Sequence, residues 1–375
     1  MVTYKPLMIQ NGVITQSTIP DNLARFPNWS ANSNGWVATQ SALRAKNLAY
    51  KALSNPLAYS TFGSLSSGGE KWMGGILAPN GCIYGIPYTS TSILKINPTT
   101  DTTTTFGSLS NSGAAWESGV LAPNGCIYGV PNCSTTVLKI DPTTDTATTF
   151  GNFAGTYKWY GGVLAPNGYI YCIPGGYGTS ILKIDPTTDT ATTFGSVTNP
   201  LNYWSGGVLA PNGMIYGFPY ESTTVLKIDP TTDTVTTFGS LSGRLKWSGG
   251  VLAPNGYIYG IPYSSATVLK INPTTDTATT FGSLSNAGHY WVGGVLAPNG
   301  MIYGIPYLST TVLKIDPTTD TATTFGSPDG QWWGGTLAPN GCIYGIPWSA
   351  TTVLKIGGPV EVPMDFPLSR FFNKF

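Results

Sequence analysis

Seven copies of Leu-Ala-Pro-Asn-Gly, beginning at Leu77, Leu121, Leu164, Leu209, Leu252, Leu296 and Leu337, constrain this chain more than anything else in it. Their starts lie 44, 43, 45, 43, 44 and 41 residues apart. A period of about 40–45 residues filled with short strands leaves a propeller or a solenoid, because one such unit cannot bury its own apolar face. Each unit carries four strand signals, as in Trp247–Ala253, Ile258–Ile261, Val268–Ile271 and Thr277–Gly282. Asn-Gly joins the first to the second as a tight hairpin, and Pro-Thr-Thr-Asp joins the third to the fourth. The first three are nearly continuous apolar runs, which predicts sheets covered on both faces. The Thr-rich fourth suits an outer edge, and the Gly-Gly pair of the first suits a crowded axis.

The ends of the array decide between ring and solenoid. Thr61-Phe62-Gly63 is a fourth-type strand standing before the first Trp72, whereas the last unit stops at Ile356 and runs on as Gly357-Gly358-Pro359. Each strand type therefore occurs seven times, out of phase by one. A strand from the N-terminal side completes the last sheet and closes a ring without open ends. The expected fold is all-β: a seven-bladed β-propeller of four-stranded blades over residues 58–358, with an N-terminal segment 1–57 and a C-terminal tail 359–375. The repeats resemble β-propellers, of kelch type in the Gly-Gly pair and of tachylectin type in Pro-Asn-Gly-x-Ile-Tyr. The resemblance implies architecture and leaves function open.

Composition removes several functions. Only 9% of the residues are charged and the net charge is +1, so no footprint for nucleic acid or an anionic membrane is present. No run of about 18 apolar residues predicts a membrane span. Ten of the seventeen acidic residues belong to the repeated turns. Asp-Pro-Thr-Thr-Asp offers two carboxylates without the alternating spacing of a calcium loop, so no metal is expected. Lys95, Lys139, Lys183, Lys227, Lys270, Lys314 and Lys355 recur on third strands. Their stems are expected to lie along apolar surface while the ammonium reaches water or the nearby turn Asp.

Catalysis has little to work with. His289 is the single histidine and sits in a variable loop. No nucleophile–base pair or phosphate loop is visible. Glu70 with Glu117, or Glu221 with Asp329, are the carboxylate pairs that folding could bring together for glycoside chemistry. No enzymatic activity and no cofactor are expected. Cys82, Cys126 and Cys342 fill a slot that other repeats give to Tyr169, Met214, Tyr257 or Met301. They are expected to be small buried hydrophobes, the five cysteines making no disulfide framework. With no secretory signal visible, synthesis in a reducing cytosol fits best.

Up-and-down strand order puts the Asn-Gly and Pro-Thr-Thr-Asp turns on one near-uniform face. The opposite face carries the connections in which the repeats diverge. There Tyr88, Tyr220, Tyr263, Tyr307 and Trp348 each follow a Pro and precede Ser, Thr, Glu or Leu, while Asn132 and Gly175-Gly176 break the rule. Trp72, Trp116, Trp159, Trp204, Trp247, Trp291 and Trp332 begin the innermost strands at the same face. Aromatic faces beside hydroxyls and amides suit sugar rings, so both sets are candidate glycan-binding residues. For the seven tryptophans the competing role is packing between blades. The loop tyrosines are expected to be exposed.

Outside the array, Pro6–Gln16 reads as two short strands around Asn11-Gly12, residues 17–38 as linker, and Ser41–Leu53 as a short amphipathic helix ended by Pro56. Four phenylalanines in the tail, Phe366, Phe371, Phe372 and Phe375, need cover. Because the ring closes where it opens, both ends are expected to emerge together as one anchoring pole. Lys5-Pro6-Leu7 followed by Gly12-Val13-Ile14-Thr15-Gln16 resembles the leader of bacteriophage tail-fibre, head-fibre and decoration proteins. That resemblance implies a virion protein made in the host cytoplasm, attached to other virion proteins through 1–57 and 359–375, and often trimeric. Host attachment through glycan and structural decoration without receptor binding are the two functions it leaves, and a cellular lectin-like scaffold propeller is the rival reading.

Overall fold

The computed structural model describes residues 7–10, 13–16, 59–110, 113–197, 203–284 and 290–357. Seven four-stranded antiparallel sheets follow one another along the chain. Blade 1 comprises Trp72–Leu77, Ile83–Pro87, Ile93–Asn97 and Thr102–Phe106, in that order from the axis outward. Blade 7 comprises Trp332–Leu337, Ile343–Pro347, Val353–Ile356 and, on its outer edge, Tyr59–Phe62 from the other end of the chain. Innermost strands touch in succession, and that of blade 7 touches that of blade 1, so the ring is closed. Leu7–Gln10 and Val13–Gln16 pair antiparallel with Gln10 opposite Val13, as the hairpin signal predicts. The helix expected over Ser41–Leu53 and the C-terminal tail lie outside the described residues.

Blades hold together by burying apolar faces against their neighbours. Second and third strands are the most enclosed, and their Ile, Val and Leu side chains are 0–2% exposed. Each such side chain contributes roughly 1.5–3 kcal/mol relative to exposure. Second-strand tyrosines meet outer-strand phenylalanines edge to face, as Tyr84 meets Phe106 at 6.0 Å and 84°. In blade 7 the pair is Tyr344 with Phe62, at 5.9 Å and 82°, so the strand from the N-terminal side fits the repeat in packing as well as in hydrogen bonding.

The axis explains the glycine pair. The innermost strands carry a bulge there, as between Met73 and Gly75. The first glycine of each pair takes a positive φ, from 68° at Gly293 to 104° at Gly161. A Cβ on Gly161 would stand 2.8 Å from the Gly206 Cα of the next blade, closer than side chains tolerate. Six of the seven strands converge here with bare backbone. Blade 2 departs from the rule with Ser118, held at φ 67°.

Polar latches join the blades on the turn face. Asn124 donates from Nδ2 to the Tyr128 hydroxyl at 2.9 Å and to the Pro186 carbonyl of the next blade at 2.8 Å. Tyr128 in turn donates to Asp189 Oδ1 at 2.6 Å, and Lys139 donates to Asp189 Oδ2 at 2.5 Å. Six of the seven recurrent lysines thus bond the turn of the following blade. Asp189 is held below the usual carboxylate range: burial works against its charge, but the bonds from Lys139 and Tyr128 outweigh it. Cys342 is buried as expected, whereas Cys82 and Cys126 are only half-buried because their slot borders the turn surface. All five cysteines are free thiols.

Closure makes a direct prediction. A chain starting at residue 58 should keep the cooperative melt of the ring. A chain starting at residue 64 loses Phe62 and bares the Val353–Ile356 edge. Phe62 is half-buried, so its loss costs somewhat less than the roughly 1.5–3 kcal/mol of full burial, and with the lost strand pairing, at roughly 2–4 °C per kcal/mol, the melting temperature should fall by about 3–10 °C. Calorimetry of the two truncations checks this.

Candidate functional site

Near-identical repeats make the positions that refuse to repeat informative. The residue between the leading Trp and the glycine pair is Met73, Glu117, Tyr160, Ser205, Ser248, Val292 and Trp333 in successive blades. Just inside the divergent face, this position rings the axis directly above the bare-backbone constriction. Six of these seven residues, with the glycines beneath them, line an axial cavity of about 120 Å³. Ligand pockets usually span about 300–1,000 Å³, so a sugar-sized ligand would rest across the mouth with at most one group in the well.

Aromatic rings form a collar around that mouth. Tyr160 meets Tyr203 at 5.6 Å, Tyr203 meets Tyr220 at 5.5 Å, and Tyr220 meets Tyr263 at 5.0 Å. Tyr263 also touches Tyr290 at 4.7 Å and stacks on Tyr307 at 6.1 Å. Beyond it Tyr307 meets Trp333 at 4.8 Å, Trp333 stacks on Trp348 at 4.8 Å, and Trp348 meets Tyr88 at 5.2 Å. The second-to-third loops, the first strands and, for Tyr203 and Tyr290, the fourth-to-first connections supply these rings, so the collar is assembled from blades 1 and 3 to 7.

Blade 2 closes the circle with polar groups. Asn132, at the loop position of the missing aromatic, donates from Nδ2 to Glu117 Oε2 at 2.6 Å, and both side chains are buried. Burial pushes the Glu117 carboxyl up to about 8, against the pull of the Asn132 bond, so at neutral pH it carries its proton. Across the well the hydroxyls of Ser205 and Ser248 lie 3.0 Å apart. Burial likewise raises Tyr263 and Tyr203 to about 12, so the collar stays uncharged. The site is an uncharged, mostly aromatic rim around an acid, an amide and two hydroxyls.

Buried lysines fix the rim loops. Lys158 donates to the carbonyls of Asn132, Ser134 and Gly155 at 3.0, 2.9 and 2.7 Å. Lys246 does the same for Gly243 at 2.7 Å, and burial lowers it to about 8. Each precedes a core Trp and lies against it, 5.8 and 5.9 Å from the ring centroid. Glu221 is buried and takes the exposed Arg244 as its partner, Nε to Oε2 at 2.8 Å. Glu117 and Glu221 are therefore committed to Asn132 and Arg244, while Glu70 and Asp329 are exposed. His289 lies outside the described residues.

The candidate residues from the sequence divide cleanly. Trp72, Trp116, Trp159, Trp204, Trp247, Trp291 and Trp332 are 0–4% exposed. Each donates its indole N–H to a backbone carbonyl of its own blade, as Trp72 does to Ser92 at 2.8 Å. They fill the gaps between blades, the packing role that competes with binding for them, although Trp116 also lines a cavity of about 630 Å³ with Ser108, Cys133 and Thr148. Tyr88, Tyr220, Tyr263, Tyr307 and Trp348 do reach the mouth, yet they are half-buried or buried against one another, where exposure was expected. Tyr160, Tyr203, Tyr290, Trp333, Asn132 and the Ser pair were missed as members. The available signal was variation at one position inside an otherwise fixed strand.

Comparison with known proteins places the fold. The family described as a repeat of unknown function (DUF6923) matches residues 165–297. No curated protein matches in sequence. A streptogramin B lyase structure superposes with TM-score 0.69 at 13% identity, covering 80% of this chain and 97% of that one. Catalytically inactive virginiamycin B lyase from Staphylococcus aureus, in complex with quinupristin, gives 0.70 at 13% identity over 81% and 100%. Kuenenia stuttgartiensis hydrazine synthase gives 0.59 at 14% identity over 79% and 98%. The likeness is one of fold.

The protonated acid makes a pH prediction. Its folded pKa lies above the unfolded value, so the folded state holds the extra proton and stability falls as pH rises from about 4.5 to about 8, by roughly 1.4 kcal/mol per unit of pKa difference. Lys246 has the opposite sign, adding stability as pH rises above about 8. Glu117→Gln removes only the first contribution. The variant should match the parent near pH 5 and melt higher than it at pH 9; parallel curves in calorimetry would contradict the assignment.

Proposed function

We propose that this chain is a non-enzymatic bacteriophage virion protein, a tail fibre or similar appendage, whose propeller binds host-surface glycan at the axial mouth. The observation that carries the reading is the aromatic collar. It lies on the face where the connections diverge between repeats, and it surrounds uncharged hydrogen-bonding groups, the combination a neutral sugar needs.

Topology supports the direction of display. Tyr59 pairs with Ile356 at the turn face, so the described ring is entered and left at neighbouring points opposite the collar. Segments 1–57 and 359–375 would hold the particle or neighbouring copies from that pole, leaving the mouth outward. The leader resemblance at Lys5–Gln16 supplies the virion part of the reading. The commitments of Glu117 to Asn132 and of Glu221 to Arg244 support binding over glycoside hydrolysis.

Binding of host-type surface polysaccharide to the purified chain, followed by calorimetry, tests this. Tyr263→Ala and Trp333→Ala should each weaken saturable binding about ten-fold or more, the loss of roughly 1.4 kcal/mol or more expected for a central aromatic contact. Trp247→Phe, in the core, should leave affinity unchanged in the folded protein. A folded chain that binds no polysaccharide would favour the decoration subunit, with interaction confined to the terminal segments.

A further inference from the structure

Six of the seven latches on the turn face are filled, and the seventh is the seam of the ring. In blades 1 to 5 and 7 the lysine bonds a turn aspartate of the next blade, Lys270 to Asp320 and Lys355 to Asp101 among them. Blade 6 presents the same trio. Asn299 donates to the Tyr303 hydroxyl at 2.9 Å, and Lys314 faces Tyr303 across the strand pair. Its neighbour is blade 7, where the outer strand arrives from the other end of the chain and no Pro-Thr-Thr-Asp turn exists. Among the described residues, no carboxylate bonds Lys314 or Tyr303, and no proline carbonyl receives Asn299.

We propose that this seventh socket binds the carboxylate of Glu361, from the chain's own C-terminal segment. The repeat itself provides the register. Asp320 stands six residues after Lys314, and Glu361 stands six residues after Lys355. Continued along the path every other third strand takes, the strand that ends at Ile356 would lead into the socket. The arriving strand offers no rival, because no Asp or Glu stands between Asp21 and Tyr59 in the sequence. Elimination agrees. Ten acids belong to the repeated turns, and Glu70, Glu117, Glu221 and Asp329 lie on the opposite face, leaving Asp21, Glu361 and Asp365. Glu361 alone has the spacing. Its extra methylene suits a site where Gly357-Gly358 replaces the stiff Asp-Pro. Filling this socket would complete the seven latches and fix the tail's departure point beside the N-terminal strand, whatever the mouth binds.

Zero-length carbodiimide coupling on the full-length protein, with peptide mapping, tests this. Lys270 joined to Asp320 is the internal control, and Lys314 joined to Glu361 within one chain is the expected product. Control coupling without the Lys314–Glu361 product would overturn the proposal. So would coupling of Lys314 to Asp21, to Asp365, or to Glu361 of a second, isotope-labelled copy. Lys314→Met and Glu361→Gln should each lower the melting temperature by about 1–3 °C, the range for a half-exposed ion pair. The double variant should fall no further than either single one; additive shifts would also contradict the pairing.

Discussion

Contact between successive blades is the interaction on which everything else here depends. A four-stranded sheet of this sequence is apolar on both faces, so one blade alone has no stable state. Two devices make the contact. One is the dry layer of Ile, Val, Leu, Tyr and Trp between sheets, the larger in energy. The other is the Asn–Tyr–Lys trio that holds the next blade's turn, as Asn124, Tyr128 and Lys139 hold Pro186 and Asp189. With lysine and aspartate both partly exposed, each ion pair contributes little by itself. Its geometry fixes the angle between blades, and seven equal angles close a circle.

Equality has a consequence for function. A ring held by six like latches and nearly invariant glycines presents an almost uniform turn face, poor in distinguishing chemistry. Departure from the repeat is tolerated where the inter-blade packing ends, at the loops and at the position beside the axis. The collar and the acid–amide pair of Glu117 and Asn132 arise there. A buried lysine such as Lys158 then ties the loops down with three carbonyl bonds. The rim is built on rigid elements and is nearly pre-formed, which lowers the ordering cost of binding.

Much of the fold was legible because its determinants are local and repeated. Asn-Gly hairpins, the strand lengths and the displaced Thr61-Phe62-Gly63 strand all carry their meaning within a few residues. The latch was half legible. Lysine and aspartate repeat together, but that the partner belongs to the following blade is a fact of tertiary packing. The tryptophans were half legible for a similar reason. An aromatic at the start of an inner strand can face the axis or the neighbouring blade, and the strand's alternation does not say which. Trp332 and Trp333 are adjacent, and one is core while the other is collar. The bulge at the glycine pair turns one residue toward the axis, and that local break in alternation is invisible in a hydrophobicity pattern.

The claim that the axial mouth is where this protein meets a ligand is tested most directly by a crystal structure with a bound oligosaccharide from a polysaccharide the protein retains. The sugar is expected on the divergent face, one ring stacked against Tyr263 or Trp333 and a hydroxyl directed into the well toward Glu117 or the Ser205–Ser248 pair. A sugar bound on the turn face or along the Thr-rich outer strands, with the mouth empty, would contradict it.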